Sequence, residues 1–134
     1  MTEPIAELSD PAIEQLVRRF YDRARHDPLL GPVFTRAIGE DPAAWEAHFA
    51  RLTDFWSSIM LRSGRYTGGP FSAHLRLPDI APHMFERWLA LFHETCAELF
   101  TPDIAASFRD KAERIARSLR IGLFERLPTR RSAA

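Results

Sequence analysis

Four side chains in this sequence have the type and placement to do chemistry: Tyr21, His48, His74 and Trp88. Tyr21 falls on the apolar stripe Ile13, Leu16, Val17, Phe20, Ala24. His48 lies between Trp45 and Leu52, and Trp88 between Phe85 and Phe92, on two further stripes of helical period. A buried hydroxyl, imidazole or indole N–H left without a partner costs roughly 1–3 kcal/mol, so each of these tips needs a hydrogen-bonding partner. Singly, each reads as a core residue with its polar end at the rim. Jointly, three different helices each bring one polar tip to an apolar face, and the tips can converge on a small polar spot inside an aromatic cavity. His74 is different, because its segment shows no core pattern. It reads either as an exposed loop histidine or as a metal ligand. Neutral imidazole is the commonest metal-binding side chain, and a short adjustable segment can approach a cofactor that lies between helices.

Other sites fail on spacing. His93-Glu94-Thr95-Cys96-Ala97 starts like HExxH but has Ala97 at the second histidine position. No Glu-x-x-His pair is present, which leaves a ferritin-like di-iron bundle unsupported. Gly68-Gly69 lacks the Lys-Ser/Thr of a phosphate-binding loop. Ser57 and Ser58 carry no triad signature, and Cys96 reads as core. Cys96 is the sole cysteine, so an intramolecular disulfide, a CxxC zinc site and a CxxCH haem attachment are excluded. His26, His83 and His93 fall off the stripes and read as solvated. What survives is one histidine beside a cavity holding a second histidine, a tyrosine and a tryptophan. That is the outline of a haem pocket, where the iron takes a proximal imidazole and the polarity of the opposite side governs ligand chemistry.

The elements that must position these residues are helices. Ser9-Asp10-Pro11 opens the first and His26-Asp27-Pro28 ends it. A short helical segment reaches Ile38 and closes at Gly39. Asp41-Pro42 opens a second long helix with the stripe Trp45, His48, Phe49, Leu52, Phe55, Trp56, Ile59, Met60, ending near Arg62-Ser63-Gly64. Pro82 opens a third with Phe85, Trp88, Leu89, Phe92, Cys96, Leu99, and Thr101-Pro102 a fourth with Ile104, Phe108, Ala112, Ile115, Ala116, Leu119, Leu123. The stretch from Ser63 to Ala81 is 19 residues, long enough for a loop to be functional. The chain reads as all-α and as one domain over 1–134, with its core at about 10–126 and a polar tail at 127–134. At 134 residues with 46% hydrophobic and 27% charged side chains, it has the composition of a globular protein. Lys+Arg and Asp+Glu are 18 each, so no net charge draws it to nucleic acid or an anionic membrane. No signal peptide or membrane-spanning run is visible, and a cytoplasmic location is expected. The unusual quantity is aromatic content: 10 Phe, 3 Trp and 2 Tyr. The broad apolar face of a haem would account for it.

The order and spacing of these features resemble the truncated haemoglobins, most closely the group III class. The matching stretches are Phe20-Tyr21, Gly31-Pro32-Val33-Phe34, Trp45-Glu46-Ala47-His48, Phe55-Trp56, the run from Gly64 to Pro70, Ala73-His74-Leu75, and the run from Phe85 to Phe92. They span roughly residues 10 to 125. The resemblance implies a globin-like two-over-two helical sandwich holding haem b, non-covalent iron protoporphyrin IX. It implies His74 as the proximal iron ligand, and Tyr21, His48 and Trp88 as the distal ligand-binding group. Phe34 corresponds to the phenylalanine that packs on the haem edge. Leu52, Phe55, Tyr66, Leu77 and Phe85 complete the expected cofactor contacts, with Arg65, Tyr66 and Arg76 as candidate propionate partners.

Three functions follow as expectations. The first is reversible binding of O2 and other small ligands, NO and CO, with Tyr21 and Trp88 as donors and His48 as a donor or gate. The second is a haem enzyme, a nitric oxide dioxygenase or peroxidase, which would need an external reductase because no reductase domain is fused in this chain. The third is a helical interaction module without cofactor. The first two share every pocket residue.

Overall fold

The computed structural model of the chain describes residues 3–66 and 80–125. Among the described residues five prolines, Pro11, Pro32, Pro42, Pro82 and Pro102, stand in the first turn of a helix. There the missing N–H has no intrahelical partner to lose, and the fixed φ favours the helix. The elements are α1 (Asp10–His26), α2 (Gly31–Ile38), α3 (Pro42–Met60), α4 (Pro82–Leu99) and α5 (Pro102–Arg120). α5 continues into a π turn, Ile121–Glu125. Ser9 caps α1 by accepting from the Ala12 N–H at 3.2 Å, and Asp41 caps α3 by accepting from the Ala43 N–H at 3.1 Å. These are the two starts that the Ser/Asp-Pro spacing predicts.

The apolar stripe of α1 is wholly buried, from Ile13 through Tyr21 to Ala24. α1 packs along α3 and across α4, α4 packs along α5, and α2 bridges α1 and α3. Two helix pairs thus face each other. An aromatic seam locks the pairs: Trp56 stacks on Phe92 at 5.1 Å, and Phe92 stacks on Trp88 at 5.0 Å. Phe20 meets both Trp88 and Phe92 edge-on at 5.4 Å. Phe20, Phe92 and Phe108 are fully buried, and each such ring contributes about 1.5–3 kcal/mol of burial. A smaller cluster forms around Phe85, Ala116 and Leu119, with Ile80, Leu89, Ile115 and Leu123 against it.

Three features differ from the sequence expectation. The second long helix ends at Met60, earlier than Arg62, and the chain turns through Arg62 (φ 59) and Gly64 (φ 74). Ile5 pairs with Phe100 in an isolated bridge: its N–H donates to the Leu99 carbonyl at 2.7 Å and its carbonyl accepts from Thr101 at 3.0 Å. That pairing satisfies groups at the α4 terminus which the helix leaves open. His93 is half-buried against Glu113 at 3.1 Å, in place of the solvated residue expected. Gly31 is required by close approach, since a Cβ there would lie 2.5 Å from the Arg25 carbonyl oxygen.

Candidate functional site

Tyr21 is the centre of the site because α1 buries it among neighbours from three other helices. Its ring meets Phe34 of α2 at 5.2 Å and His48 of α3 at 5.4 Å, both edge-on. Burial pushes its phenol up to about 12, against a smaller lowering influence of the nearby Trp88 of α4. The three polar tips expected to converge do converge. An indole can only donate, so a hydrogen bond between the two would run from the Trp88 N–H to the Tyr21 oxygen.

His48 stands beside this pair, edge-on to the Trp45 ring at 5.7 Å. Its Nε2 is buried without a hydrogen-bond partner. Burial, then the nearby Arg51 charge, lowers its pKa to about 4, so the imidazole is neutral at pH 7. Trp45 is held as packing: its indole donates to the Gly39 carbonyl at 2.8 Å, and Arg25 covers its face.

The expected cofactor wall divides. Leu52 and Phe55 lie four and seven residues beyond His48 on α3 and, with Phe34 and Trp88, are half-buried. They form a partly open apolar face next to the polar group. Tyr66 joins it through Phe55, the rings meeting edge-on at 5.1 Å, and its N–H donates to Ser58 Oγ at 3.0 Å. Phe85 is buried one turn before Trp88, in the smaller cluster with α5. His74, Leu77 and Arg76 lie outside the described residues. Arg65, a candidate propionate partner, is already engaged: its guanidinium bonds Asp10 at 2.8 Å and Asp54 at 2.9 Å. A separate cavity of about 480 Å³, between α4 and α5 beside Leu89, Arg117 and Ile121, touches none of the polar group.

Sequence reasoning missed one feature beside the site. Asp27, at the α1–α2 corner, is buried and binds Arg87, the residue before Trp88. Neither residue lies on an apolar stripe, and only the Asp27-Pro28 turn signal marks the place.

No protein-family model matches the chain. A solved structure does: the crystal structure of the group III truncated haemoglobin from Campylobacter jejuni superposes with a TM-score of 0.88 over 91% of this chain and 96% of that one, at 31% identity. The curated group 3 truncated haemoglobin ctb of Campylobacter jejuni is 34% identical over 109 residues, 81% of this chain and 86% of that protein. The chain belongs to the group III truncated haemoglobins. Its fold is a globin fold, and it is a globin-type haem protein. The residues fit a haem on their own account. A truncated haemoglobin needs an apolar slot for the porphyrin and few protein ligands for its iron. Here an orphaned imidazole nitrogen, a phenol with a proton to donate and a half-buried aromatic face adjoin one another. Among the described residues no cluster of three or more His, Cys, Asp or Glu offers a metal site built from side chains alone, and no helix is long and apolar enough to cross a membrane.

Proposed function

We propose that this chain holds haem b non-covalently through His74 and binds O2, NO and CO on the side faced by Tyr21, His48 and Trp88. Phe34, Leu52, Phe55, Tyr66, Leu77 and Phe85 form the apolar contacts of that arrangement. When bound, haem supplies a ferrous centre able to take diatomic ligands reversibly. The protein's own part is to place polar donors toward that ligand. The observation that carries this is the buried Tyr21 ring edge-on to His48 at 5.4 Å, beside the orphaned His48 Nε2. His48, neutral at pH 7, adds an adjustable donor or acceptor at the rim and can control access by rotating. A donor to a ligand with anionic character contributes on the order of 1.5–3 kcal/mol. That much stabilisation slows ligand release about 10- to 150-fold, since about 1.4 kcal/mol is tenfold.

Slow release favours chemistry on the ligand over delivery of it. The second reading is therefore a nitric oxide dioxygenase or peroxidase drawing electrons from an external reductase. Absorption spectra of the purified ferric, ferrous and CO-bound forms test the primary claim. One haem per chain with a histidine-ligated ferrous spectrum is expected; a colourless protein after expression with ample haem contradicts it. Turnover with NO or peroxide in excess of simple ligand exchange favours the enzyme.

A further inference from the structure

We propose that the cavity between α4 and α5 is a binding site for a small amphiphilic monocarboxylate, an alkyl chain ending in one carboxylate. The cavity measures about 480 Å³ and is lined by Leu89 of α4, by Glu113, Ala116, Arg117 and Arg120 of α5, and by Ile121 where the π turn begins. That volume is within the range of pockets that take small organic ligands. Its apolar part is the half-buried Leu89, the buried Ala116 and Ile121, which is 42% exposed. Its charged part runs along one face of α5, because positions 113, 117 and 120 are four and three residues apart. The lining includes none of Tyr21, His48 and Trp88, so the inference is independent of the distal reading above.

The charges select the ligand. Among the described residues neither the Arg117 nor the Arg120 guanidinium has a partner. Glu113 lies four residues before Arg117, the spacing at which a helix pairs opposite charges, yet its carboxylate is turned to His93 Nε2 of α4 at 3.1 Å. On the same helix Arg114 does find its acid, Asp110, at 3.4 Å. Cations in the last turn of α5 complement the partial negative charge of the helix end. That accounts for the residue type, but not for two uncovered guanidiniums beside an apolar hollow. Two positive charges against one negative leave the lining with a single positive excess, which matches a monoanion better than a phosphate dianion. A guanidinium takes a carboxylate in a two-pronged contact, and an alkyl chain covers the apolar surface. A concave hollow favours one such molecule over the flat face of a membrane.

The test titrates the full chain as purified, reduced under CO so that any iron is diamagnetic and its ligand position filled, with sodium octanoate below its micelle-forming concentration. NMR resonances of the lining report binding. Saturable shifts are expected at Leu89, Ala116 and Ile121. Hexanoate binds about three- to tenfold more weakly, for the loss of two partly buried CH2 groups. Arg117→Gln and Arg120→Gln, at exposed and half-buried positions, each weaken octanoate about two- to fivefold, the range of an exposed charge pair. Arg117→Lys keeps part of the affinity. A comparison on the wild type alone needs no variant: octylammonium and inorganic phosphate leave these resonances in place. Octylammonium acting as strongly as octanoate removes the role of the arginines and overturns the proposal. Phosphate acting as strongly would mark a simple anion site and overturns it too, as does the absence of any shift at the lining. Co-sedimentation with phosphatidylglycerol vesicles while free octanoate is inert would assign the arginines to a membrane surface and equally overturn it.

Discussion

Replacing Tyr21 with Phe and Trp88 with Phe, singly and together, distinguishes a relay from two parallel donors. In a relay the indole, which can only donate, donates to the phenol oxygen and only the phenol faces the ligand; as parallel donors both face it. Tyr21→Phe removes the whole direct bond to the ligand, on the order of 1.5–3 kcal/mol, which corresponds to about a 10- to 150-fold faster O2 dissociation. Trp88→Phe removes only the polarisation of that bond by its neighbour. Cooperative strengthening of about 10–30% per bond makes this about 0.15–0.9 kcal/mol, a change of roughly 1.3- to 5-fold. The stack on Phe92 survives in kind, because a phenyl ring replaces an indole at 5.0 Å. Stopped-flow displacement of O2 by CO measures all four proteins. The relay predicts a large effect of Tyr21→Phe, a small one of Trp88→Phe, and a double variant close to Tyr21→Phe alone. Two large single effects that multiply in the double variant would refute the relay and restore parallel donors.

Further expectations are cheaper to check. Gly31→Ala places a Cβ 2.5 Å from the Arg25 carbonyl oxygen, and the overpacking costs about 1–3 kcal/mol, readable as a shifted urea midpoint; an unchanged midpoint contradicts the contact. Cys96 is buried and its thiol is pushed up to about 12, so a thiol reagent at pH 8 labels it only on unfolding; rapid labelling of the native protein contradicts this. His48 titrates near 4 when folded and near 6.5 when unfolded. The unfolded chain therefore takes up the proton first, so the stability His48 contributes is whole above about pH 6.5 and is lost as pH falls toward 4. His48→Gln flattens that part of the stability profile; identical slopes in the two proteins would show that His48 does not titrate there.

The helices were legible because their signals are local. Asp41-Pro42 and Ser9-Asp10-Pro11 place a cap and a proline at the helix starts, and the α1 stripe is buried residue for residue. The convergence of Tyr21, His48 and Trp88 was legible for the same reason, since period alone puts each on a buried face. The orphaned state of His48 Nε2 was not, because spacing says which side chains meet but not which polar atoms find partners. The Asp27–Arg87 and Arg65–Asp10 pairs join residues 60 and 55 apart on polar faces that carry no periodic signal. The Ile5–Phe100 bridge was hidden likewise, because one isolated pairing leaves no alternating pattern.

The central claim is that this globin holds haem through His74. Its most direct measurement is the ferrous resonance Raman spectrum of wild type and of His74→Gly reconstituted with haem, with and without added imidazole. An iron–histidine stretching band in wild type, its loss in His74→Gly and its return with imidazole are the results predicted. The same band in His74→Gly without imidazole would contradict the claim.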